Sequence, residues 1–266
     1  MRSAVFFAAA ALVSCRGDDP RPPAAAGCVS GAVCAPPQTG SGGPPIVGAD
    51  AGSLDGGDAE PTSVDVTGTV HPLRTFTGEV DPSAERVRAV TVRALRRGGG
   101  VAESTSPDGT FALTEVAASV GAPTWLTLIE SGQIRGFAGI GLPNEGAFAL
   151  PLFDELLPLT TAQGLGLVVA GDAFAVVVHV VDDAGRRRAG IRAEAAGDLR
   201  PFYDDGRDAI GDGGTATGDR GTIVFIGSGT PPNPFPVTLA TAARTYGTIS
   251  APAATSAVTW LRVALP

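Results

Sequence analysis

Four aspartates crowd one stretch of this 266-residue chain, PFYDDGRDAIGDGG, where Asp204, Asp205, Asp208 and Asp212 lie among glycines. A hard cation such as calcium takes several carboxylate and carbonyl oxygens from a pliable backbone, so these residues could in principle hold one. Their spacing departs from the D-x-[DN]-x-[DN]-G pattern, and Arg207 interrupts it, which favours a solvated loop between strands over a cation site. Phe202 and Tyr203 stand immediately before the acids. Their rings could stack on a sugar, or they could fasten the loop to a sheet. Phe202, Tyr203, Asp204, Asp205, Asp208 and Asp212 together form the candidate ligand loop, for a carbohydrate or a peptide.

The two histidines, His71 and His179, are the other chemical groups to weigh. A catalytic base needs a nucleophile and an orienting acid, and no G-x-S-x-G or comparable signal accompanies either. His179 lies inside FAVVVHVVDD and is expected to be a hydrogen-bonded structural residue. His71 precedes Pro72 and is expected in an exposed loop at a strand end. The glycine-rich GIGLPNEG lacks the Lys and Ser/Thr of a phosphate loop. The sequence thus assigns no catalytic residue, no cofactor and no metal site, and the chain is expected not to be an enzyme.

The three cysteines read differently. The opening MRSAVFFAAAALVSC has one Arg and a short apolar run from Ala4 to Val13. A bilayer-spanning helix needs about 20 apolar residues, so residues 1–14 read as a secretory signal peptide. Leu12-Val13-Ser14-Cys15 resembles the bacterial lipobox. That resemblance implies a diacylated Cys15 as the mature N-terminus and the membrane as a partner through the lipid. Arg16 follows in place of Asp, pointing to an outer-membrane lipoprotein that faces the periplasm or the cell surface. An exported chain meets oxidising conditions, which favours a Cys28–Cys34 disulfide around VSGAV over free thiols. Zinc would need more ligands than these.

All 19 basic residues are Arg, against 27 acids, for a net charge of −8. An acidic chain argues against nucleic acid or anionic headgroups as partners; envelope proteins or glycans remain the candidates. Residues 15–62 are rich in Pro, Gly, Ala and Asp and cannot bury enough surface to offset backbone entropy. They are expected to form a disordered tether.

Order begins with VDVTGTV, where Val64, Val66 and Val70 alternate with polar neighbours at the period of a half-buried strand. Val90 and Val92 repeat the pattern, and Pro107-Asp108-Gly109 turns the chain into a strand carrying Phe111 and Leu113. TGDRGTIVF in the second half matches TSPDGTFAL in the first. From Gly109 to Phe148 is 39 residues, as it is from Gly221 to Trp260. The reading is an all-β chain with an internal duplication: two tandem Greek-key-type β-sandwich domains of prealbumin or immunoglobulin kind, at 63–152 and 172–266. The linker covers 153–171, with a helical turn expected to end before Pro158.

The turns and strands resemble the carboxypeptidase regulatory-like domain, a prealbumin-type sandwich. Asp183-Ala184-Gly185, Gly190-Ile191 and the T-x-x-D-G-x-F turn fit its pattern, whereas HPLRTFTGEVDPSAER replaces its first short turn. The resemblance implies a non-catalytic module exposed on a cell envelope. Within the second unit, Val177 and Val181 face opposite to Val176, Val178 and Val180. A strand with two apolar faces is covered on both, so the linker or the first unit is expected over 175–181.

Overall fold

The computed structural model describes residues 62–119, 122–141, 147–195 and 199–265. Cys15, Cys28 and Cys34, with the signal peptide and most of the expected tether, lie outside them. The first half holds seven strands: β1 (Thr62–Leu73), β2 (Val90–Leu95), β3 (Val101–Ser106), β4 (Thr110–Ala118), β5 (Pro123–Glu130), β6 (Gln133–Gly141) and β7 (Phe148–Phe153). A helix, α1 (Leu157–Gly164), leads to β8 (Phe174–Val181), β9 (Arg192–Ala195), β10 (Phe202–Asp204), β11 (Ile210–Gly211), β12 (Thr222–Gly227), β13 (Phe235–Ala240), β14 (Thr245–Ala251) and β15 (Val258–Ala264). The fold is all-β.

Each half is a two-layer sandwich. In the first, β4-β1-β7 packs on β3-β2-β5-β6. Val66, Val70, Phe111, Leu113 and Leu150 of one layer meet Val90, Val92, Leu126 and Leu128 of the other. In the second, β12-β8-β15 packs on β14-β13-β9, joining Val176, Val178, Phe225 and Leu261 to Phe235, Val237 and Leu239.

The duplication is visible in the backbone. β1 pairs antiparallel with β4 and parallel with β7, just as β8 does with β12 and β15. Val70 donates to the Gly109 carbonyl at 2.9 Å, and Val180 to the Gly221 carbonyl at 2.7 Å. A Cβ on either glycine would come within 2.5 Å of a carbonyl oxygen, that of Val87 or that of Val180, so both turns admit only glycine. The register shift at Leu128/Ile129 recurs at Leu239/Ala240.

The two sandwiches are fused rather than strung in tandem. β6 pairs in parallel with β15, so one nine-stranded sheet runs through both halves in the order β11-β10-β12-β8-β15-β6-β5-β2-β3. Along this seam Trp260 stands opposite Ala138 and Val177, on the face covered by the first core. Its neighbour Leu261 points to the other face, into the second core. The covering layers β4-β1-β7 and β14-β13-β9 therefore sit on opposite faces of the shared sheet. Both tryptophans serve this junction, Trp125 packing against the second core from the first half.

Beyond the edge of β7, the exposed half of the shared sheet needs another cover. Val177 and Val224 are fully buried there beneath Phe76, Phe153, Ala162 of α1, and Leu165. Val181 is 3 % exposed, so the apolar second face of β8 is covered as its sequence predicts.

Two details differ from the sequence reading. Pro158 begins α1 instead of ending a turn: it occupies the first helical turn, where its missing N–H costs no bond. His71 is 1 % exposed inside β1, bonded to Thr69 Oγ1 at 2.8 Å and to the Glu85 carbonyl at 3.2 Å. The strand continues through Pro72 because β4 pairs only as far as Thr69, leaving that side of β1 without a ladder.

The seam gives a direct test. A Cβ on Gly136 would lie 2.5 Å from the Val258 carbonyl oxygen, whereas one on Gly141 in the same strand meets nothing within 4 Å. Gly136→Ala is expected to lower unfolding free energy by about 1–3 kcal/mol, and Gly141→Ala to change it little. Urea denaturation with equal midpoints for the two variants would contradict the parallel seam.

Candidate functional site

The step between the two sandwiches creates a corner. β7 ends its layer, while the shared sheet continues beneath it through β15 and β8. One end of that corner is filled by Phe76, Phe153 and α1. The other stays open as a cleft of about 500 Å³. Phe148, Ala149 and Leu150 of β7 form one wall, the segment from Gly78 to Pro82 forms the rim, and His179, Val181, Trp260 and Arg262 line the floor with Arg187.

His179 is a clasp. Its Nε2 donates to the Phe76 carbonyl at 2.7 Å, and its Nδ1 accepts from Trp260 Nε1 at 3.1 Å. A carbonyl can only accept and an indole N–H can only donate, so these two partners fix one neutral tautomer. Burial, reinforced by the Arg187 and Arg262 guanidinium groups, pushes its pKa from 6.5 to about 3. With both ring nitrogens committed, His179 ties β8, β15 and the segment after β1 together and has none left for proton transfer.

Arg187 belongs to the same cleft. Its Nε meets Glu79 Oε1 at 2.9 Å and its Nη2 donates to the Gly78 carbonyl at 3.2 Å. Its Nη1 is buried and has no hydrogen-bond partner. Arg187 holds Glu79 below the usual carboxylate range. The pull is not reciprocated: burial lowers the pKa of Arg187 more than the largely exposed Glu79 raises it. Arg262 Nη2 donates to the Gly185 carbonyl at 2.7 Å. In the sequence, the Arg186-Arg187-Arg188 run after β8 is the one local mark of Arg187, and nothing local marks Arg262.

The acidic loop turns out differently. Asp204 is 4 % exposed and accepts four backbone N–H groups: Gly206 and Arg220 on Oδ1 at 3.2 and 3.0 Å, Gly218 and Thr222 on Oδ2 at 3.1 and 2.8 Å. Its oxygens organise the loop and are not turned out toward a cation. Asp208 pairs with Arg220 at 2.7 Å, Asp212 with Arg200 at 2.6 Å, and Asp205 receives the Arg207 N–H at 2.8 Å. Among the described residues no group of His, Cys, Asp or Glu is arranged to hold a metal ion. Phe202 and Tyr203 are 3 % and 4 % exposed. Arg200 covers the Phe202 ring, and Tyr203 Oη accepts the Ala193 N–H at 3.0 Å. The rings that sugar stacking would require on the surface are inside, and they serve as anchors.

No family model matches this chain, and no curated protein matches it. Among solved structures it is similar to the TIE protein of Bacillus anthracis, at 12 % identity and a TM-score of 0.24, over 77 % of this chain and 33 % of that one. A streptococcal ancillary pilin matches at 8 % identity and a TM-score of 0.24, over 76 % and 68 % of the two chains. A double mutant of the shaft pilin SpaA from Lactobacillus rhamnosus GG matches at 12 % and 0.23, over 77 % and 100 %. This chain spans about a third of the first of these proteins. Likeness at this level assigns no function. Among the described residues no helix is long and apolar enough to cross a membrane.

Proposed function

We propose that this chain is a non-enzymatic lipoprotein of the cell envelope, anchored through acylated Cys15. Residues 16–61 would act as its tether, with a Cys28–Cys34 disulfide. The two sandwich halves, of the kind seen in carboxypeptidase regulatory-like domains, would form one interaction module held away from the outer membrane. The observation that carries the reading is the sheet shared across the β6–β15 seam, which makes one broad scaffold of two duplicated units. The groups with chemical potential support it too: His179 and Asp204 are both engaged in holding the scaffold together. A sugar platform at 200–214 has no exposed aromatic ring to favour it.

The test is metabolic labelling of cells expressing the chain. Palmitate is expected to enter the wild-type protein and to be absent from Cys15→Ser; label persisting in that variant refutes the anchor. Protease treatment of intact cells then distinguishes a surface location, where the sandwiches are accessible, from a periplasmic one.

A further inference from the structure

We infer that the cleft at the step is a binding site for a monovalent organic carboxylate with an apolar stem. This deepens the reading of the chain as an interaction module. Ligand sites are typically concave, mostly apolar and equipped with a few convergent polar groups, and volumes of roughly 300–1,000 Å³ are usual. The cleft, at about 500 Å³, fits that description. Phe148 and Trp260 supply apolar surface on two sides.

The charge is specified by three side chains. Arg187 and Arg262 are the cations of the cleft lining, and Glu79 is its carboxylate. The balance is one positive charge, in a chain whose net charge is −8. A monoanion neutralises it; a phosphate dianion would overshoot. His179 adds nothing to the count, because its two partners hold it neutral.

Arg187 and Arg262 bring the donors. Glu79 occupies Arg187 Nε and the Gly78 carbonyl its Nη2, while the buried Nη1 has no hydrogen-bond partner in the protein, an uncommon state for a guanidinium. Because Nη1 has almost no accessible surface, it meets a ligand only once the side chain turns into the cleft. A carboxylate matches the guanidinium fork geometrically and gives charge-assisted hydrogen bonds. Beside the cleft, β7 is an edge strand, so its outer backbone is available to an extended chain. Two sources share this chemistry: a free organic acid, and the C-terminal carboxylate of an extended apolar peptide.

Calorimetry on the purified full chain separates them. The probes are 4-phenylbutyrate, its amide, and the peptide Ala-Val-Phe with a free or an amidated C-terminus. At least one free acid is expected to bind saturably, about tenfold or more tighter than its amide. Binding by the peptide acid alone identifies chain ends as the source; binding by phenylbutyrate identifies small acids. Arg262→Gln and Arg187→Gln are each expected to weaken binding about tenfold or more. Ala149→Trp, which fills the cleft and removes no charge, is expected to abolish it. If Arg187→Gln fails to fold, Arg262→Gln and Ala149→Trp decide. Equal binding of acid and amide, no binding by either acid, or binding that survives Ala149→Trp would overturn the site. None of these results depends on acylation, so failure here leaves the anchor to be judged by its own labelling experiment.

Discussion

Asp204→Ala is expected to lower the unfolding free energy by about 3–5 kcal/mol, more than any other substitution in the acidic loop. The carboxylate is buried and takes four backbone N–H groups from two separate segments, Gly206 on one side and Gly218, Arg220 and Thr222 on the other. Removing it strands those donors where water reaches them poorly, and it releases the loop from the end of β12. The near-isosteric Asp204→Asn separates charge and acceptor loss from volume. One of its two head atoms becomes a donor facing other donors, and a loss of about 2–4 kcal/mol is expected. Asp205→Asn is the control: its residue is exposed and bonded only to its own turn, so a change within about 0.5 kcal/mol is expected. Urea unfolding of the three variants checks this. The same experiment in millimolar calcium is expected to leave the wild-type midpoint in place. A calcium-dependent rise that vanishes in Asp204→Asn would restore the cation reading.

The second large effect concerns the clasp. His179→Phe retains an aromatic ring of similar size but orphans the Phe76 carbonyl and the Trp260 indole N–H, a loss of about 2–4 kcal/mol. Its signature is pH dependence. Free imidazole takes up a proton near 6.5, whereas His179 in the folded protein does so only at about 3. Between those values the unfolded chain binds the proton and the folded chain does not. The stabilisation from a neutral His179 is therefore complete above pH 6.5 and is lost as pH falls toward 3. Its full extent is roughly 4–5 kcal/mol. Carboxylates also titrate in this range, but they do so in both proteins, so the difference between wild type and His179→Phe isolates the histidine. That difference is expected to shrink steadily on acidification. A gap that stays constant from pH 7 to pH 4 would mean that His179 is not held neutral.

The sandwich halves were legible because alternation and turns are local. Val90 and Val92, or Phe111 and Leu113, must share a face in any strand, and the glycines at 109 and 221 mark turns that cannot be built otherwise. The doubly apolar strand at 174–181 revealed a hidden second face for the same reason. What failed was non-local. Pro72 looked like a strand end and made His71 look exposed, because the sequence does not say that β4 stops pairing at Thr69. The acidic loop looked like a ligand set because four carboxylates within nine residues carry no sign of their partners. Arg200 and Arg220 are near enough to have been considered, but three of the four backbone donors of Asp204 lie 14 to 18 residues away on the far side of the loop. The seam is the extreme case. Gly136 and Gly139 in IRGFAGI hinted at a close backbone approach, yet nothing local named β15 as the approaching strand. The cleft was out of reach with it, since the step that opens it exists only once the halves are joined.

The position of β15 bears on how such a chain matures. It follows every other strand in sequence yet lies fifth of nine across the sheet, between β8 and β6. Gly136 must therefore wait for Val258. A ribosome or export channel that has released only the earlier strands leaves two sheet borders bare at the centre of the molecule, each able to capture a stray strand. Completion of the C-terminal stretch closes both at once, so assembly of the two halves is decided by a single late insertion.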